Sequence, residues 1–505
     1  MADGALAAVA LGAPLVAPLT AAAAAAVLGW RRSVAWGAVA AALIILLGGV
    51  TAALRVTNGA ALHAPGVRAD ALTAVMLLVI GSVGVIATWS SIGYVGGELA
   101  AAHTDRGGAR LYAVLVPLFL AAMVLAVLAS NLGVLWAAME ATTVVTAFLV
   151  GHHRTRGSLE ATWKYVIICS VGIALAYLGT VLVYFASRQA GVGGAGSLEW
   201  TALVAHADQL DPGVMRLAVA LLVLGFGTKA GMVPMHSWLP DAHSEAPAPV
   251  SALMSGVLLS VAVYALLRYR VIAVAALDPR FIRTLLLVVG LASLALAASL
   301  LISQRNYKRL LAYSSIEHMG LVVVGVAIGT PLAVAALLLH ILGHGLAKAV
   351  LFCGSGQILS VEGTTRIAGV RGLLVRQPAL AGTFALGLVA LLGLPPFSLF
   401  PSEVALARAG ADAGLAWVVA VTLLLLLLVF VAIAVHAFDM LFGEDHFGDG
   451  SVPTASATVA PPAPAVSRSA VAPLAAGLVA LAVLGVVAWP LDRLLQAAAA
   501  IVGTP

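Results

Sequence analysis

The chain is poor in most of what a soluble enzyme uses. Of its 505 residues only 9% are charged, against about 25% in an ordinary soluble domain. Two cysteines, Cys169 and Cys353, both lie within apolar runs, and no spacing suits an iron–sulfur cluster, a zinc site or haem attachment. The glycines of 191–196 lack the strand–turn–helix setting of a nucleotide fingerprint. No metal site and no cofactor of the chain's own is therefore expected. The N-terminus, Met1-Ala2-Asp3-Gly4, has no basic segment ahead of its apolar run, so that run reads as a first membrane span and not as a cleaved leader. No polar stretch is long enough to fold as a soluble domain.

What is abundant is apolar sequence: 62% of residues, with a mean hydropathy of +1.09. Runs of 18 or more apolar residues recur from end to end, as in a polytopic helical membrane protein. A large barrel is excluded because its strands would alternate apolar and polar. The fold class is therefore all-α integral membrane with about 14 spans, near 5–29, 33–55, 69–95, 109–129, 131–151, 161–187, 213–240, 247–273, 281–303, 308–328, 331–358, 377–408, 413–441 and 470–495. Spans 7 and 12 are broken by proline. A Pro/Ala/Ser/Thr stretch, Ser451 to Ser467, reads as a flexible linker before the last span.

The pI near 9.4 reflects arginines between spans, not a nucleic-acid surface. Loops following odd-numbered spans carry about 14 Lys/Arg and the others about 9. The positive-inside rule then puts the odd loops in the cytoplasm and both termini outside. Arg268, Arg270, Arg280 and Arg283, after span 8, argue the other way.

Charge inside the spans is scarce, so each instance is informative. Lysine at the centre of a span costs roughly 2.5–3.5 kcal/mol on insertion scales. Lys229 and Lys348, two of only four lysines, both fall inside spans. Lys229 precedes Pro234, which removes a backbone hydrogen bond and breaks the helix, making a hinge; Pro395 and Pro396 do the same in span 12. Glu140, mid-span, is the expected partner of Lys229, since a neighbouring carboxylate restores the charge that desolvation disfavours. His340, His344 and Lys348 recur every fourth residue along one helix face, the pattern of a proton wire. Metal binding there lacks further ligands. Glu403 follows the second break, as a terminal acid of the path or a helix-start carboxylate. Glu317, His318, His236 and His243 are further candidates, with a structural capping or hydrogen-bonding role for Glu317-His318 as the alternative.

Lys229 and Glu403 both flank proline breaks, about 174 residues apart, and Glu140 and Glu317 are about 177 apart. Spans 4–8 and 9–13 thus read as two copies of one unit. With five spans each, the second copy is inverted, and paired broken helices in inverted repeats point to an ion path near the midplane. The expected organisation is an N-terminal segment 1–108, repeats at 109–275 and 276–441, a loop 442–469, and a C-terminal helix within 470–505.

Three blocks carry a family likeness. They are Gly227-Thr228-Lys229 through Pro234-Met235-His236-Ser237-Trp238-Leu239-Pro240-Asp241-Ala242-His243 to Gly256; Lys308-Arg309-Leu310 through Glu317-His318 to Gly320; and His340 through Lys348 to Phe352. Over roughly 110–440 the chain resembles the proton-conducting antiporter-like subunits of respiratory complex I, Mrp-type sodium/proton antiporters and membrane-bound hydrogenases, most of all the hydrogenase-4 F subunit. The resemblance implies fourteen spans, inverted five-helix repeats and a polar axis across the bilayer. It implies that Glu140 couples to Lys229, that Lys348 with His340 and His344 forms a central relay, and that Glu403 ends it. It implies partners: other membrane subunits and a peripheral redox arm of hydrogenase or dehydrogenase type. The setting would be the inner (plasma) membrane. An Mrp-type antiporter subunit, and a membrane anchor or bicarbonate-uptake partner, are the alternatives. The chain departs from the pattern in span 8. Relatives often place a lysine or histidine there, where Met254 and Ser260 stand here, with no ionisable group between Ala246 and Leu267. Water or hydroxyls would have to link the two halves.

Overall fold

A computed structural model describes residues 2–57, 61–443, 466–487 and 489–503. The helices, in chain order, are α1 (Ala2–Leu28), α2 (Arg32–Val56), α3 (Ala71–Ala100), α4 (Arg106–Leu128), α5 (Leu132–Val150), α6 (Arg156–Gln189), the short α7 (Trp200–Ala205), α8 (Pro212–Lys229), α9 (Trp238–Glu245), α10 (Ala248–Leu253), α11 (Leu259–Ala276), α12 (Pro279–Leu301), α13 (Tyr307–Ile328), α14 (Pro331–Glu362), the single turn α15 (Leu373–Arg376), α16 (Pro378–Leu391), α17 (Leu399–Asp412), α18 (Ala416–Phe442), α19 (Arg468–Val486) and α20 (Trp489–Val502). A hairpin of β1 (Leu62–Ala64) and β2 (Val67–Ala69) joins α2 to α3. Among the described residues, thirteen helices are long and apolar enough to cross a membrane. The broken pair α16–α17 makes a fourteenth, so the protein is a multi-pass integral membrane protein.

Short polar caps explain why the spans can follow each other so closely. Asp70, Asp105, Asn131, Thr155, Asp211, Asp278, Asn306 and Thr330 each accept a bond from a backbone N–H in the first turn of the next helix, satisfying donors that the helix itself leaves free. The tight joins expected near Ser130-Asn131 and Gly329-Thr330-Pro331 are both present, between α4 and α5 and between α13 and α14.

Burial sets the layout. In their most apolar windows α10–α11 is wholly buried and α13 and α14 are 94% buried, whereas α1 and α18 are 28% buried. The central helices therefore run through the interior and the outer ones face lipid or other proteins. Close approach relies on glycine. A Cβ at Gly225 of α8 would meet Ala176 N of α6 at 2.5 Å, and Gly256 and Gly345 stack α14 on the π-helical turn Met254–Leu258 that joins α10 to α11. Small residues let helices pack where lipid supplies no hydrophobic drive.

Both breaks stand where the prolines predict. Residues 230–237 separate α8 from α9, and 392–398 separate α16 from α17. Each holds a left-handed glycine, Gly231 or Gly393, three residues before the second residue of a cis peptide, Val233–Pro234 or Pro395–Pro396. That shared register corrects one expected equivalence. With Pro396 set on Pro234, Glu403 falls on Asp241 and Lys229 on Leu391. Lys229 ends the helix before its break, while Glu403 lies beyond the other, so Glu403 is not its counterpart.

Two further expectations change, and a third is not reached. Arg268 and Arg270 are not loop charges. Both lie in α11, 5% exposed; Arg268 donates to both Asp70 carboxylate oxygens at 2.6 and 2.7 Å, and Arg270 to Val502 O at 2.6 Å. Their opposition to the positive-inside assignment disappears. The span expected over 470–495 is two helices, α19 and α20, with α20 packed on α14 and α3. The linker expected at 451–467 lies almost wholly outside the described residues.

Candidate functional site

Lys229 is the last residue of α8 and is 1% exposed. Its Nζ donates to Thr143 Oγ1 of α5 at 2.9 Å and to Tyr165 OH of α6 at 2.8 Å, and sits 5.0 Å from the Tyr165 ring centre. Tyr165 OH also bonds Thr146 Oγ1. The break beside Lys229 frees backbone groups, and side chains take them up. Trp238 Nε1 donates to Thr228 O at 2.9 Å, and Val233 N donates to Ser293 Oγ of α12 at 3.1 Å.

The expected Glu140–Lys229 contact is not made. Among the described residues Lys229 has no ion pair, and the Glu140 side chain, half-buried on α5, keeps a buried Oε2 without a partner. The carboxylate acts on the amine only through space. Helical geometry gives the reason. Three residues separate Glu140 from Thr143, so they project about 60° apart on a 3.6-residue helix, and it is Thr143 that points at the amine.

Lys348, in α14, is fully buried and donates to Leu311 O at 2.7 Å and Ser314 Oγ at 2.5 Å, both on α13. His340 and His344 share its helix, as the spacing predicts. The imidazole chain, however, crosses between helices. His340 Nε2 lies 3.0 Å from Nδ1 of His318 on α13, and its own Nδ1 lies 3.0 Å from Ser402 Oγ on α17. The rings of His318 and His344 stand 5.0 Å apart, and neither ring nitrogen of His344 has a partner. Glu317, mid-helix and buried, puts Oε2 3.3 Å from His318 Nε2. It is no cap; Asn306 caps α13.

Glu403 completes this half. Ligand atoms of His318, His340 and Glu403 all lie within 4.8 Å of one another. The sequence offered no third ligand beside the histidine stripe, and folding supplies two, from α13 and α17. The hydrogen bond between the two imidazoles suits shared protons. Glu403 also borders a cavity of about 20 Å³ with Leu321, Val418 and Thr422, room for one water. Gly393 makes space for it: a Cβ there would meet the carboxyl carbon at 2.7 Å.

Between the halves stand groups that span 8 does not contribute. His243, on α9, is fully buried with both ring nitrogens unpartnered. It lies 6.2 Å from the Trp238 ring, which in turn lies 5.1 Å from Tyr165, and it is within electrostatic reach of Lys348. Span 8 itself contributes a hydroxyl, Ser255 Oγ, which meets Ser315 Oγ of α13 at 2.7 Å. His236 stays at the break, half-buried, with its Nδ1 unpartnered among the described residues. Pro234, Pro395 and Pro396 are exposed at the two breaks. The hydroxyl partners Thr143, Tyr165, Ser314 and Ser402 were missed in the sequence. Their only signal is that hydroxyls interrupt apolar spans, which many structural threonines and serines also do.

The transmembrane domain model of the NADH:quinone oxidoreductase/Mrp antiporter family matches residues 129–429. A hydrogenase-4 component F homolog of Methylacidiphilum infernorum (isolate V4) is 40% identical over 336 residues, 66% of this chain and 70% of the relative. Hydrogenase-4 component B of Escherichia coli is longer; the chain spans 49% of it, at 29% identity over 348 residues. Among solved structures, a chain of the membrane-bound sulfane sulfur reductase, an archaeal respiratory membrane complex, superposes with a TM-score of 0.84 at 22% identity, covering 98% of this chain and 97% of that one. A chain of the Mrp complex from Dietzia sp. DQ12-45-1b gives the same TM-score at 23% identity and the same coverage. At these identities the two structures establish the fold.

Proposed function

Because the chain belongs to the NADH:quinone oxidoreductase/Mrp antiporter family, we propose that it is a proton-translocating membrane subunit of a redox-driven complex of hydrogenase-4 type. The observation that carries this reading is the company the buried amines keep. Lys229 and Lys348 are held by hydroxyls and a carbonyl, without an ion pair among the described residues. A hydroxyl or carbonyl accepts from a charged amine, and a hydroxyl can also donate to a neutral one, so neither protonation state is locked as a salt bridge would lock it.

A proton on Lys229 passes by way of His243, with water, to Lys348. From there it moves through His344, His318 and His340 toward Glu403. Glu140 biases Lys229 from a distance, so a neighbouring subunit that neutralises or exposes Glu140 changes the charge state of Lys229 without moving it. The α8–α9 and α16–α17 breaks act as hinges. Other membrane subunits and a peripheral redox arm are the partners, and redox cofactors belong to that arm. Odd loops face the cytoplasm and both termini the outside of the plasma membrane; the inward placement of Arg268 and Arg270 supports this orientation.

The test is Lys229→Ala in the intact complex, reconstituted in vesicles with electron transfer and internal pH followed together. Loss of proton movement is expected, and unchanged pumping refutes the reading. An Mrp-type exchange role is the second reading, because the matching family takes in Mrp antiporter subunits as well. Proton movement that requires sodium and persists without electron donor would favour it.

A further inference from the structure

A cavity of about 600 Å³ opens where the end of α3 meets α4 and the end of α5 meets α6. None of its titratable wall residues belongs to the relay above. His103 stands at the outer rim, its side chain 67% exposed, and its Nδ1 lies 3.7 Å from Glu98 Oε1. The other oxygen of Glu98 lies 3.0 Å from His153 Nε2, and these two side chains are 15% and 25% exposed. The cluster thus grades from wet to dry. Burial and the adjacent His153 lower His152 to about 4, so it stays neutral, and Glu98, His103 and His153 are the groups that meet at the mouth.

The polar line continues inward. The Tyr94 hydroxyl, one turn deeper in α3, lies 3.4 Å from His153 Nε2. Its ring approaches Gly356 of α14, which packs on Ala248 at the start of α10. Lys308 of α13 is buried at the same end. Its Nζ donates to Ser244 O at 2.7 Å and Ala246 O at 2.9 Å, at the end of α9. Lys308 is within electrostatic reach of Glu98 on one side and His243 on the other. His243 is the buried imidazole whose two nitrogens lack partners.

We infer that this cavity is the proton-uptake mouth of the chain: Glu98, with His103 and His153, collects protons from solvent and passes them by Tyr94 and Lys308 to His243. Each step moves one proton and nothing else. Tyr94 accepts on its oxygen as it releases its own hydrogen inward, and Lys308 gives a proton to His243 and is recharged from the Glu98 side. The inference rests on the proton-transport reading and on the odd loops facing the cytoplasm, since the mouth lies at the ends of α3 and α5. It answers a supply problem. A single group collects protons at no more than about 10^10 per molar per second, the diffusion limit, hence about 100 per second at pH 8. Enzyme turnover is commonly about 1–1000 per second, so a buffering cluster at the mouth removes a bottleneck.

The test uses the intact complex in vesicles at pH 8. Glu98→Gln is expected to slow proton movement roughly 100-fold, the lower end of the range for a lost acid–base group. Imidazole, small enough to enter the cavity, should restore most of the rate. Imidazole should do nothing for Lys229→Ala. Zinc ion added to the unmodified complex should inhibit by bridging Glu98 to His103 or His153, and should lose that effect in the doubly substituted His103→Ala, His153→Ala protein; this arm stands even if Glu98→Gln fails to assemble. Normal pumping by Glu98→Gln, a defect that imidazole leaves untouched, or zinc inhibition that survives the double substitution would each overturn the inference. If Lys229→Ala also pumps normally, it is the proton-transport reading that fails.

Discussion

Replacing His243 with leucine should make the chain more stable and its transport far slower, two effects of opposite benefit from one change. The imidazole is fully buried, and neither nitrogen is bonded to a described residue. A buried polar group left unpaired costs about 1–3 kcal/mol. Leucine fills a similar volume, and its imperfect fit gives back less than about 1.5 kcal/mol. The net expectation is a gain of about 1 kcal/mol, read as a raised midpoint of thermal unfolding in detergent. Transport should fall about 100- to 10,000-fold, the usual worth of a positioned acid–base group, which is roughly 2.7–5.4 kcal/mol on the barrier. The assay is dye-monitored proton uptake by the reconstituted complex, with electron transfer recorded in parallel. Pumping at the unmodified rate would refute the reasoning and move the link between halves to the Ser255–Ser315 hydroxyls. A stability loss above about 1 kcal/mol would show that the ring nitrogens are held by ordered water, so that the unpaired-group argument was misapplied.

Other outcomes follow from the same geometry. Glu140→Gln should change thermal stability by less than about 1 kcal/mol, because no buried ion pair is broken; a loss of about 3–5 kcal/mol would mean a direct pair with Lys229. Asp70→Asn should incur that larger loss, since it strips Arg268 of its bidentate carboxylate, and unfolding in detergent reads it directly. Tyr165→Phe removes one of the two acceptors of Lys229 Nζ. A hydrogen bond to a charged group is worth about 1.5–3 kcal/mol, so pumping should drop about tenfold or more while assembly, judged by size-exclusion chromatography, is retained. Gly393→Ala should displace Glu403 and disfavour the left-handed turn by about 1–2 kcal/mol. Its signature is slower proton movement, and a Gly393→Ala protein that pumps normally removes Glu403 from the path.

How much of this was legible in the sequence differs by residue. Fourteen spans, two proline breaks and the placement of Lys229, Lys348, His340 and His344 within the bilayer follow from run length, proline chemistry and helical period, all local properties. Glu140 was located correctly on its span, but it acts on Lys229 only through space, and the contact is made by Thr143. Spans 5 and 7 meet in space, and which α5 side chain faces Lys229 depends on how the helix is rotated. His318 and Glu317 looked peripheral because their role arises only when α13 lies against α14. The span-8 gap is an interruption only along the chain, whereas His243 comes within electrostatic reach of Lys348 from α9.

The sequence by itself determined the class of protein, since apolar runs of this length have few places to go but a bilayer and buried charge is too costly to keep without a use. It determined the two helix breaks too, because proline has no N–H to give. Only the tertiary structure decided the pairings: Lys229 with Thr143 and Tyr165, His340 with His318, Arg268 with Asp70, and Gly393 under Glu403. The physical reason is that composition and period fix a helix and its apolar content. Partners across helices depend on rotation and register, which the packing of many small and apolar residues sets together.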